Sequence, residues 1–195
     1  SWSIPHTLAK AKSYVGEVKR TKKGRGPALL AADVPDSTFH DGQVAQIAIE
    51  KLRMLKENGP PFFLGVGFIR PHLPFVSPQK YWDLYDRNQL PIATFQQKAA
   101  DSPDIAYHNS SELKTYSDIP QFDSYSPNPG ELLPIEKQKE LIHGYYAAVS
   151  YMDAQVGKVL VELDRLGLRE NTIVVLWGDH GWHLGDHGLW NKHTN

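Results

Sequence analysis

Residues 172–188 read TIVVLWGDHGWHLGDHG, an apolar, β-branched run that stops at an acid and gives way to a glycine-rich loop crowded with carboxylates and imidazoles. Thr172 to Leu176 predicts a strand. A strand that hands over to Asp179 and His180 presents those side chains at the carboxyl end of a sheet, where α/β folds bind ligands. Four of the nine histidines fall between His180 and His193. The alternative is a polar surface loop in which they crowd by chance.

Working outward, Leu141, Tyr145, Ala148, Met152, Val156, Val159, Leu163 and Leu166 recur at intervals of three and four. This predicts one long amphipathic helix from near Pro134 to a stop at Gly167, with Tyr145, Tyr146 and Tyr151 as packing residues. Further upstream, Val44, Ile47, Ala48, Leu52 and Leu55 predict a second helix, with Asp41 as its N-cap and Asn58-Gly59-Pro60-Pro61 as its end. Phe62 to Phe68 is continuously apolar and predicts a strand buried on both faces. Residues 70–134, rich in proline and aromatics, predict a long excursion across the top of a sheet, with one helix near Pro78 to Tyr85.

Helix and strand thus alternate, and the fold class expected is α/β, a mixed and largely parallel sheet covered by helices. If both predicted strands run parallel, Arg70 and His72 after the first meet Asp179 and His180 after the second at one edge. For His72, in IRPHLPF, the competing reading is a rigid extended loop held by its prolines. For Arg70 the better reading is a surface ion pair.

The composition is that of an ordinary globule, with 195 residues, 41% hydrophobic, 22% charged and a net charge of −1. That charge gives no reason to expect a nucleic-acid partner, and the lysines between Lys10 and Arg25 read as a solvated loop. No apolar run approaches the length that spans a membrane. Without cysteine there are neither disulfides nor thiolate metal sites, and the compartment stays open.

His180, His183 and His187 have a spacing that would suggest zinc on a helix, but Gly181, Gly185 and Gly188 would each cost about 1 kcal/mol there. A loop is the better reading. Asp179 is the first metal-ligand candidate, because an anionic oxygen suits calcium, magnesium or zinc. His180 as its partner favours zinc on chemistry alone. Asp186 and His187 read as supporting residues or helix caps.

The segments SWSIPH, ADVPDSTFHDGQ, PFFLGVGFIRPHLPF, SPQKYWDLY, YYAAVSYMDAQVGKVL and GDHGWHLGDHGLWNKHTN, in this order and over nearly the whole chain, resemble the iduronate-2-sulfatase-like branch of the sulfatase family, within the alkaline-phosphatase superfamily. The resemblance implies that Asp179 and His180 are calcium ligands, that His72 is a catalytic histidine beside the sulfate ester, and that Lys192 is a catalytic, sulfate-binding lysine. Trp182 and His183 would line the sugar pocket, with buried packing as the equal alternative for the tryptophan. It further implies a sulfated carbohydrate as substrate and a periplasmic, secreted or lysosomal parent.

The family's formylglycine arises in a Cys/Ser-x-Pro-x-Arg motif. Here Ser3-Ile4-Pro5-His6-Thr7 lacks the arginine, and no Asp-Asp pair occurs. The chain therefore reads as a single partial domain, residues 1–195, the central portion of a catalytic domain whose nucleophile segment and C-terminal subdomain lie elsewhere. Alone it is expected to be inactive. A metal-dependent phosphodiesterase or phosphatase of the same superfamily, and a non-catalytic carbohydrate-binding module, are the alternatives.

Overall fold

A computed structural model describes residues 4–192; Ser3 of the incomplete motif and His193 lie outside it. Its regular elements are β1 (Leu29–Ala32), α1 (His40–Asn58), β2 (Phe75–Pro78), α2 (Gln79–Trp82) and α3 (Ile135–Arg165), with short 3-10 turns between them. β1 and β2 pair in parallel, Leu29 opposite Phe75 and Ala32 opposite Pro78. The fold class is α/β, a small parallel sheet flanked by helices.

Both long helices form where the apolar spacing predicts them. α1 ends at Gly59, whose positive φ of 79° lets its N–H reach the Leu55 carbonyl. α3 runs for 31 residues and stops just before Gly167. It packs along β2 and against α1. At the closest approach a Cβ on Gly144 would lie 2.4 Å from Leu29 and 2.9 Å from Trp82, so only glycine lets α3 settle on the sheet. Phe75 and Val76 point to opposite faces and join two separate clusters, one with Leu113, Leu141 and Trp190, the other with Phe39, Trp82 and Tyr151. Tyr151 is fully buried, and its hydroxyl accepts from the Gly42 N–H (2.6 Å) and donates to the Asp36 carbonyl (2.9 Å).

Asp36 ties three elements together. Its carboxylate faces Lys80 of α2 (2.7 Å) and Lys158 of α3 (2.5 Å), and it accepts from Tyr81 (2.9 Å) and Gln155 (3.2 Å). Burial pushes its pKa up, but the hydrogen bonds from Lys158, Lys80, Tyr81 and Gln155 outweigh that and bring it to about 2. α1 and α3 are also linked through Glu162, which accepts from Arg53 (2.7 Å) and from Arg165 (2.6 and 2.8 Å).

Three expectations are corrected. Phe62 to Phe68 and Thr172 to Leu176 are extended but join no ladder among the described residues, and the paired strands are the shorter β1 and β2. A strand needs a neighbour for its backbone groups, and here the run at 172–177 faces solvent, Ile173 being 92% and Trp177 77% exposed, while in 62–68 Phe63 is exposed and Phe62, Leu64, Val66 and Phe68 are half-buried. Asp41 is not the N-cap, which is Phe39. Instead its buried carboxylate accepts from the N–H groups of Ile69 (3.0 Å) and Arg70 (2.8 Å). Arg70 is buried rather than part of a surface pair. No helix among the described residues is long and apolar enough to cross a membrane.

Candidate active site

The IRPHLPF segment is a tight turn rather than an extended loop. The His72 N–H donates to the Ile69 carbonyl (2.9 Å), and the turn delivers the chain into β2, so His72 precedes a strand instead of following one. The Asp41 carboxylate holds the entry to this turn and the Arg70 guanidinium holds its crest, donating to the His72 carbonyl (2.7 Å). Burial lowers the Arg70 pKa, and Asp41 opposes that.

Three residues singled out in the sequence meet here. Lys192 Nζ lies 2.5 Å from His72 Nε2 and 5.1 Å from the centre of the Trp182 ring, within range of a cation–π interaction. His72 and Trp182 meet edge to face with ring centres 5.7 Å apart, and Trp182 meets Phe75 of β2 in the same way. His72 Nδ1 lies 2.7 Å from the Leu73 carbonyl, which can only accept, so Nδ1 carries a hydrogen and Nε2 offers its lone pair to the Lys192 ammonium.

A fourth participant, Glu112, carries no signal in the sequence: it stands in SSELK, inside the long polar excursion, with no motif around it. Its carboxylate lies 3.5 Å from Lys192 Nζ and 3.7 Å from His72 Nε2, and accepts from the Asn191 side-chain amide at 3.4 Å. Proximity across the fold finds it; periodicity cannot.

Asp179 and His180 lie at the rim. The His180 ring reaches Trp182 with centres 6.5 Å apart, whereas the Asp179 side chain is 85% exposed and accepts from the His180 backbone N–H (3.0 Å). His180 Nε2 lies 3.6 Å from Asp179 Oδ2, and the His180 Nδ1 is engaged with the Gly181 carbonyl. Among the described residues no group of three or more histidine, aspartate or glutamate side chains could hold a metal. Calcium takes six to eight oxygens, so these two residues do not by themselves make a calcium site. His183 packs against His108, and burial lowers its pKa. His187 turns away to Phe95 and the Gln97 carbonyl.

The arrangement places a cation, a proton-carrying imidazole and an indole face on one partly open surface. Such a set suits an anionic ester joined to a sugar, because the ammonium faces charge and the indole faces an apolar ring surface.

The sulfatase family profile matches residues 11–195. The chain is 35% identical over 206 residues to iduronate 2-sulfatase of Mus musculus, a match that covers all of this chain and 36% of that protein. It is 33% identical over 208 residues to iduronate 2-sulfatase of Homo sapiens, with the same coverage. A sulfatase of Formosa agariphila is 35% identical over 186 residues, 94% of this chain and 33% of that one. The chain thus spans about a third of the length of these relatives. Among solved structures, a phosphonate monoester hydrolase from Silicibacter pomeroyi superposes with a TM-score of 0.63 at 22% identity, covering 91% of this chain and 34% of that one, which is a likeness of fold.

Proposed function

Because the chain belongs to the sulfatase family and is related to iduronate 2-sulfatase at moderate identity, we propose that it is the central part of a catalytic domain that hydrolyses sulfate esters of a sulfated sugar. The observation that carries this reading is the contact of Lys192 with His72 beneath the Trp182 ring. Lys192 binds a sulfate oxygen and opposes the charge that builds on it as the ester bond breaks. The His72 and Lys192 pair holds a proton between two nitrogens and passes it to the departing sugar oxygen. Trp182 borders the sugar.

The nucleophile comes from outside these residues, since the chain has no cysteine and no complete Cys/Ser-x-Pro-x-Arg motif. Asp179 and His180 are the residues that would contribute to a calcium site completed by oxygen donors elsewhere in the longer protein. Calcium bound there would add charge neutralisation at the sulfate. The exposed run at 172–177 and the half-exposed run at 62–69 are the surfaces against which the remainder of that catalytic domain would pack. A periplasmic, secreted or lysosomal setting accords with a sulfated-carbohydrate substrate.

The full-length protein, assayed with a sulfated aryl ester and a sulfated disaccharide, is expected to hydrolyse both. Preference for phosphate diesters would turn the reading to a phosphodiesterase. Binding of the disaccharide without turnover would turn it to a carbohydrate-binding module.

A further inference from the structure

We infer that Glu112 is a positioning residue for Lys192 and His72, an assignment that deepens the sulfatase reading and rests on it. Lysine is a point charge on a flexible four-carbon stem, so a site that uses one must orient it. His72 Nε2 fixes one direction of the Lys192 ammonium. The Glu112 carboxylate, 3.5 Å from Nζ on Oε2 and 3.7 Å from the imidazole on Oε1, sets a second. An ammonium has three N–H donors, so one remains for an incoming sulfate oxygen after these two directions are taken.

Glu112 is itself held. The buried Leu113 anchors the next position in the core. Ser110, fully buried, has a hydroxyl that accepts from the Trp190 N–H (3.3 Å) and from the Ser124 hydroxyl (2.9 Å). The fully buried Asn191 donates to Glu112 Oε2. Residues 110–113 are therefore fastened to residues 190–192 at two points, and the carboxylate is delivered to Lys192 by a packed interior rather than by a free surface side chain. The Glu112 side chain is only 14% exposed.

Charge gives a second reason. With Nδ1 donating to the Leu73 carbonyl, Nε2 is left as an acceptor that needs a donor in front of it, and that donor is the Lys192 ammonium. A carboxylate facing both nitrogens holds it there. A neutral amide of the same shape would keep the Asn191 contact but lose the attraction for Lys192.

The test uses the full-length protein as wild type, Glu112→Gln and Glu112→Asp. Steady-state hydrolysis of a sulfated aryl ester is expected to show kcat lower by about 10- to 100-fold in Glu112→Gln, with KM little changed and part of the rate restored in Glu112→Asp. Nitrogen NMR of the His72 imidazole is expected to show a protonated Nδ1 in both proteins and an Nε2 shifted by the Lys192 hydrogen bond in wild type, with that shift reduced in Glu112→Gln. Two results would overturn the assignment: an unchanged kcat, which together with a lower KM would mark Glu112 as a mere competitor of sulfate, or an imidazole spectrum identical in wild type and variant. If wild type cleaves no sulfate ester, the sulfatase reading fails, while the imidazole spectra still decide whether Glu112 orients the pair. Should Glu112→Gln unfold, the same spectra of Glu112→Asp decide it.

Discussion

The segment 75–82 and the segment 172–179 are both apolar runs leading into polar residues, yet they meet opposite fates. In the first, Phe75 and Val76 are buried in the clusters on opposite faces of the sheet, their backbone pairs with β1, Tyr81 donates to Asp36, and the chain passes directly into a helix. In the second, Val175, Leu176 and Trp177 are extended and exposed, and Asp179 beyond them projects into solvent. Hydrophobicity alone therefore does not fix burial. A neighbouring backbone must be at hand to take up the strand's N–H and C=O groups. The residues of the proposed site divide along the same line: His72, Trp182 and Lys192 are assembled against the packed segment, whereas Asp179 and His180 stand on the open one.

If that division is sound, the assembled side should give the largest effects. In the full-length protein, His72→Ala and Lys192→Ala are each expected to lower kcat/KM for a sulfate ester by about 100-fold or more, roughly 3 kcal/mol of transition-state stabilisation. Unchanged rates in both variants would remove the site from this side of the molecule. Next comes the packed interior. Tyr151→Phe strips the partner from the buried Gly42 N–H and the Asp36 carbonyl, a loss expected at about 1–3 kcal/mol, read by denaturant unfolding; a neutral result would show that water reaches both groups.

The Asp36 cluster makes stability depend on pH. Its folded pKa of about 2 lies below its ordinary 3.8, so its contribution is complete above 3.8 and is lost as pH falls through 2. Thermal midpoints of wild type should fall across that window more steeply than those of Asp36→Asn, and parallel slopes would show the carboxylate to be uncoupled from folding. The smallest effect sharpens the contrast most. Val175→Lys, at an exposed position, should leave the stability of the 195-residue chain within about 0.5 kcal/mol of wild type. In the full-length protein the same change should sharply lower the thermal midpoint, and equal tolerance in both would mean that nothing covers the run.

The two long helices were legible because α1 and α3 each bury one stripe over many turns, and Gly59 and Gly167 mark their ends. The strands were not. β1 is only Leu-Leu-Ala-Ala, with little β preference, and β2 closes on a proline, so the longer and more apolar runs at 62–68 and 172–176 drew the assignment instead. Within the site, the resemblance led to His72, Trp182 and Lys192, whereas Glu112 is brought in across 80 residues by the Ser110 and Asn191 contacts. Arg70 was misjudged because a charged residue beside a turn reads as solvated; here burial against the Asp41 end of α1 makes it a brace.

The two backbone hydrogen bonds that Asp41 accepts from Ile69 and Arg70 also separate inheritance of shape from inheritance of specificity. They grip main chain, which every residue type except proline offers, so they ask nothing of the side chain at 69, while at 70 the guanidinium adds its own bond to the His72 carbonyl. A change of side chain at Ile69 would leave the imidazole its bearing on Lys192, and under the proposed function could alter which ester is recognised. Loss of Asp41 would have the reverse signature, blurring the position of His72 for every substrate alike. The clasp makes the turn an evolvable module, with its anchor and its recognition surface open to selection independently.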